Sequence, residues 1–148
     1  MYQASTVAHY IIDFCNREGL CISNLKLQKL LYFVQAEFLV SQPDHAPCFA
    51  DGIEARDFGP VVPNVYREFR MYGNASIPSI NNDPYARSYD EFTKFDRALI
   101  DGIIQKTANY SASQLVQITR NQSPWLDAYR PGYNNKISNR SIREFFEE

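Results

Sequence analysis

No apolar run in this sequence approaches the ~20 residues that a membrane-spanning helix needs, and the opening "MYQASTVAHY" has neither the basic nor the apolar block of a secretion signal. The expectation is a cytoplasmic protein without a membrane partner. Cysteine is scarce: Cys15, Cys21 and Cys48 are odd in number and never spaced CxxC, which fits free thiols better than a disulfide framework or a zinc site. Histidine is scarcer still, with only His9 and His45. Basic residues are scattered, and the net charge is -2, so the clustered cations that displace counterions from a nucleic-acid backbone are missing. The GxxxxGK[ST], GxSxG and HExxH signatures are also missing, which leaves phosphate-loop, serine-nucleophile and zinc-protease chemistry without support. The expectation is a non-enzymatic chain that needs no metal and no cofactor.

What is present is helix-forming and aromatic. The 148 residues have the length of one ordinary domain, 1–148, and carry 45% hydrophobic and 14% aromatic residues, enough for a large-ring core. From Ser5 to Arg17, Val7, Ile11 and Phe14 recur at helical spacing, and Gly19 stands where a C-terminal cap would. In "CISNLKLQKLLYFVQAEFLV", Ser23 or Asn24 can cap a helix whose Leu27, Leu31, Val34 and Phe38 stripe is widened by Leu30, Phe33 and Leu39 until it nearly encircles the axis. That helix is expected at the centre of the core. Cys48–Ala50 and Ile53–Ala55 flank Asp51-Gly52, a tight-turn pair, so a short two-stranded β-ribbon is expected around residues 48–56. The fold class is mainly α, a compact helical domain with that ribbon.

Phe58-Gly59-Pro60 should end the ribbon, and Pro63 suits the first turn of a helix burying Val62, Val65, Tyr66 and Phe69. Residues 73–90 form an Asn-, Ser- and Pro-rich connection far longer than the usual ~4–6 residues, which marks it as a candidate recognition loop. Phe92, Phe95, Leu99 and Ile103 then define a helix from about Glu91. Ser111 with Gln114 reads as a capping box, Ser123-Pro124 as a helix start, and "KISNRSIREFFEE" as a last helix burying Ile142, Phe145 and Phe146.

The runs "ISNLKLQKLLYFVQAEFL", "FADGIEARDFGPVVPNVYREFRMYG" and "YSASQLVQITRNQSPW", followed by "NNKISNRSI", resemble the Panacea domain family of SocA-like antitoxins over Ile22 to Ile142. The resemblance implies a small, mainly helical bacterial or phage-associated antitoxin that neutralises a cognate, co-encoded toxin by direct protein contact. It departs from the family pattern at Arg56, where an aromatic is frequent before the Gly-Pro turn, and at Arg120, where His often follows the Thr.

Partner-binding candidates follow from separating inward from outward residues around the Gly-Pro turn. With Val62, Val65, Tyr66 and Phe69 taken by the core, Arg56, Asp57, Arg67, Arg70 and Tyr72 remain outside, and Arg and Tyr are frequent interface anchors. No catalytic set is expected. A hydrolase built on Cys48 with His45 lacks a flanking signature, and a DNA reader built on Arg17, Lys26 and Lys29 lacks a polar helix face, so the two lysines are expected to snorkel from a core helix. Homo-oligomerisation is left open by the sequence.

Overall fold

The protein, described here from a computed structural model covering residues 1–80 and 83–147, has its elements in the order α1 (Ala4–Arg17), α2 (Asn24–Ser41), β1 (Ile53–Arg56), β2 (Gly59–Val61), α3 (Pro63–Phe69), α4 (Lys94–Thr107), α5 (Ala112–Arg120), α6 (Ser123–Ala128), β3 (Lys136–Ile137) and α7 (Asn139–Phe146). Mainly α is therefore the architecture, with one small antiparallel sheet of order β2-β1-β3.

α2 is the hub because its sequence is apolar nearly all round: Leu27, Leu30, Leu31, Val34, Phe38 and Leu39 are all buried, and α1, α3, α4, α5, α7 and β2 pack around it. The Ser23 hydroxyl accepts from the Lys26 N–H and starts the helix. The capping box at Ser111 and Gln114 forms in both directions and sets the start of α5, while Ser138 caps α7. Ile142 is buried, whereas Phe145 and Phe146 are only half-buried, Phe146 lying edge-on to Tyr32. α4 begins at Lys94 rather than Glu91, since the Thr93 hydroxyl takes the Asp96 N–H. That frame turns Ile100, Ile103 and Ile104 inward and leaves Phe95 exposed.

The ribbon lies further along the chain than residues 48–56. β1 pairs with β2 in the register Ala55↔Pro60 and Arg56↔Gly59, so the turn is Asp57-Phe58, not Asp51-Gly52. The reason is a competitor from α2: the Gln35 carboxamide oxygen accepts from the Cys48 and Phe49 N–H groups, and its Nε2 donates to the Phe49 carbonyl oxygen. With those groups satisfied by a side chain, 48–50 has no need of a strand partner beyond a single bridge from Phe49 to Tyr2. Gly59-Pro60 does not break the ribbon but builds its second strand. Gly59 sits at φ 99°, and a Cβ there would lie 2.8 Å from the Thr119 hydroxyl and 2.9 Å from Lys29 Cε. Gly59→Ala is expected to cost about 2–4 kcal/mol through left-handed strain and overpacking together. Urea denaturation checks this, and an unchanged midpoint would remove Gly59 from the turn's requirements.

The long connection at 73–90 is tied to the rest of the fold at Ser76, Ile77, Asp83 and Tyr89, Asn81 and Asn82 lying outside the described residues. Ile77 is fully buried and its N–H donates to the Ile22 carbonyl oxygen, while the Ser76 hydroxyl accepts from the Ile22 N–H. Further on, Asp83 meets His9, and the Tyr89 hydroxyl donates to Asp13. Residues 86–91 form a 3-10 turn against α1.

Candidate functional site

A groove of about 550 Å³ opens between the first turns of α2, the β1–β2 turn and the end of α3. Its apolar surface comes from Leu25, Phe58, Val61 and Tyr66, and Arg56, Asp57 and Arg70 stand around it, with Gly73 and Asn74 closing one end. Asn24 and Gln28 supply the remaining wall, and their amides are what hold the two sides together. Asn24 Nδ2 donates to the Tyr66 carbonyl oxygen at 3.0 Å, Gln28 Nε2 donates to Asn24 Oδ1 at 2.9 Å, and Gln28 Oε1 accepts the Val62 N–H at 2.9 Å. Both side chains are buried, so this relay between α2 and α3 is protected from water and fixes the groove's width.

The turn itself is braced from beneath and behind. Lys29 is fully buried and its Nζ donates to the Pro60 carbonyl oxygen at 2.9 Å, with no carboxylate paired to it among the described residues. Burial without a counter-charge pushes its pKa down to about 7. Trp125 Nε1 donates to the Arg56 carbonyl oxygen at 2.8 Å, and the indole is stacked on Tyr129 at 4.3 Å between ring centres. The Arg120 guanidinium lies 5.0 Å over the Trp125 ring. Arg56, through its backbone carbonyl, and Arg120, through its guanidinium, thus meet at one tryptophan.

The five residues singled out from the sequence separate into two groups. Arg56, Asp57 and Arg70 come together around the groove. Arg56 is half-buried and its Nη2 donates to Glu54 Oε1 at 2.6 Å; Asp57 Oδ1 accepts the Tyr129 hydroxyl at 2.5 Å, an acceptor that raises the phenol's pKa, as desolvation also does. Arg70 is exposed and makes no ion pair among the described residues. Arg67 is exposed but stands outside the groove, its guanidinium donating to Asn64. Tyr72 is half-buried and packs against the core instead of facing outward. Arg56 and Asp57 also border a second hollow of about 190 Å³ with Gly132, Tyr133 and Asn134, so the turn is a ridge between two concavities.

Sequence reasoning missed Phe58, which is 64% exposed at the tip of the turn, along with Leu25 and Tyr66. Phe58 was legible only as part of a chain break; an aromatic between Asp and Gly in a strand-strand turn is the signal that could have found it. Lys29 does not snorkel: it is fully buried with its amine on the Pro60 carbonyl oxygen, which removes it from any DNA-reading surface, while the Lys26 side chain is largely covered. The Cys48 thiol is fully buried and burial holds its pKa far above the ordinary range, while His45 Nδ1 faces the Leu39 carbonyl oxygen at 2.9 Å. That pair is not an activated nucleophile.

A mainly helical chain, wound on one central helix and presenting a groove beside a braced Gly-Pro turn, is the class of molecule these features define. Residues 27–126 match the family described as Antitoxin SocA-like, Panacea domain, and the chain belongs to that family. It is 35% identical over 144 residues to Antitoxin SocA of Caulobacter vibrioides (strain NA1000 / CB15N), a match covering 88% of this chain and 73% of that protein. No solved structure matches it.

Proposed function

We propose that this protein is an antitoxin that neutralises a cognate toxin by direct contact, using the ridge and groove around Arg56, Asp57, Phe58 and Arg70. The observation carrying the reading is the family relationship along most of the chain, antitoxin being the role named for the relative. The groove is its physical counterpart: an exposed aromatic and a charged rim on a braced turn are what a protein interface uses as anchor and register. Arg67 lies beyond the groove as a rim contact, and Tyr72 supports the surface from within.

Co-expression with the adjacent open reading frame, followed by size-exclusion chromatography, tests the reading. Rescue of growth together with a co-eluting complex is the expected result. Rescue without any complex would overturn direct contact. Within that complex, Arg70→Glu is expected to leave the melting temperature within about 1–2 °C, because the residue is exposed, and to weaken affinity about tenfold or more by reversing a charge at the interface. Calorimetric titration of the two purified proteins reads both quantities.

A further inference from the structure

We infer that the groove receives an extended segment of the partner protein in which a carboxylate stands next to an apolar side chain, the apolar group resting on Leu25, Val61 and Tyr66 and the carboxylate meeting Arg70. The inference rests on the antitoxin reading and names the chemistry of the contact. Its first support is shape, since about 550 Å³ is room for a few side chains and the opening is a trough rather than a closed chamber. The second is the wall: Phe58 leaves a large ring in water at the trough's edge, where an apolar partner side chain would recover the cost of that exposure.

The polar atoms of the wall argue against a small polar metabolite. Asn24 spends its amide nitrogen on the Tyr66 carbonyl oxygen and its oxygen on Gln28, and Gln28 spends its oxygen on the Val62 N–H. Few polar groups are left to converge on a compact ligand. The charges argue for an acidic one. Arg56 is paired with Glu54, and the Asp57 carboxylate, still charged, is engaged by the Tyr129 hydroxyl, which leaves Arg70 as the groove's cation with no ion-pair partner among the described residues. One cation beside an apolar trough, free of ion pairs among the described residues, with the Asp57 carboxylate bonded to Tyr129 and the whole chain at net charge -2, complements one carboxylate and not a run of phosphates.

The test is selection of short random displayed peptides on the full chain, with soluble versions of the winners titrated by fluorescence anisotropy against wild type, Arg70→Glu, Arg70→Lys and Phe58→Ser. Circular dichroism melts of each variant separate lost binding from lost folding. The expected winners carry Asp or Glu beside Leu, Ile or Phe, and their affinity falls about tenfold or more with Arg70→Glu while Arg70→Lys retains most of it. Winners without a carboxylate, or affinity indifferent to Arg70→Glu, overturn the inference. So does a concentration-dependent dimer dispersed by Phe58→Ser, which would give the trough to a second copy of this chain. No toxin is present in the selection, so its failure leaves the antitoxin reading standing; absence of a complex between wild type and toxin is what defeats that reading.

Discussion

Replacing Lys29 by Met is expected to stabilise the protein at neutral and acidic pH, and to lose that advantage as the pH approaches 10.5. Lys29 is fully buried in α2 with one hydrogen bond, to the Pro60 carbonyl oxygen, and burial lowers its pKa from 10.5 to about 7. Below about pH 7 the folded and unfolded chains both carry the charge, and the folded state bears the whole cost of taking it out of water. Between about 7 and 10.5 the unfolded chain holds a proton that the folded chain has released, so stability rises with pH. Above that window both forms are neutral and the cost is gone. A shift from 10.5 to about 7 corresponds to about 5 kcal/mol across the window. Met forfeits the bond to Pro60, which leaves a net gain of about 2–4 kcal/mol near pH 7. Urea denaturation of both proteins at pH 6, 7.5 and 9.5 measures it, and a difference that stays constant over this range would show that Lys29 does not titrate in the fold. The same variant is expected to bind its partner more weakly, because the amine holds the strand that carries Phe58 and the groove wall.

His9→Ala should have the opposite effect on stability. His9 in α1 is buried, with Nε2 at 2.5 Å from Glu68 Oε2 of α3 and Nδ1 at 2.7 Å from Asp83 Oδ2 of the strap. Its ring is stacked on Tyr85 at 4.3 Å. The Asp83 side chain is only 4% exposed, and without the imidazole it keeps the Tyr85 N–H and a long contact from the Tyr89 hydroxyl. Removing a side chain that two carboxylates hydrogen-bond leaves the buried one short of a partner at a cost of about 1–3 kcal/mol, and the lost ring packing adds to it. The distinguishing measurement is a double-mutant cycle: in the His9→Ala background, Asp83→Ala is expected to cost far less than it does in the wild type. Equal costs in both backgrounds would mean that His9 and Asp83 do not support one another. Hydrogen exchange at 83–89 should rise in His9→Ala, since the imidazole is one of the strap's ties to α1, beside the bond from Tyr89 to Asp13.

Both residues show where a sequence stops being readable. As a sequence feature, His9 lies within an amphipathic helix pattern and Lys29 in a leucine-rich one, and neither is near its eventual partners along the chain. Glu68 and Asp83 reach His9 from 59 and 74 residues away, and Pro60 reaches Lys29 from 31. The ribbon was misplaced for a related reason, because Gln35 reached across from α2 and took the hydrogen bonds that a strand over 48–50 would have made. The candidate site was partly legible. Arg56, Asp57 and Arg70 lie together at the groove because a Gly-Pro turn leading into an amphipathic helix leaves charges outside, whereas Tyr72 folded back onto the core and Phe58 turned out.

What the sequence determined by itself is the set of helices and most of their inward faces, Phe95 and Tyr66 being the exceptions that packing turned outward. Apolar spacing and caps such as Ser23, Ser111 and Ser138 act within a few residues, so α1, α2, α5 and α7 follow from local chemistry that no later packing had to overturn. Only the tertiary structure decided where the ribbon turns, which lysine loses its water and which side chains surround the groove. Those outcomes depend on hydrogen-bond competition and desolvation between segments far apart in the chain, and such energies exist only after α2 has been enclosed by its neighbours.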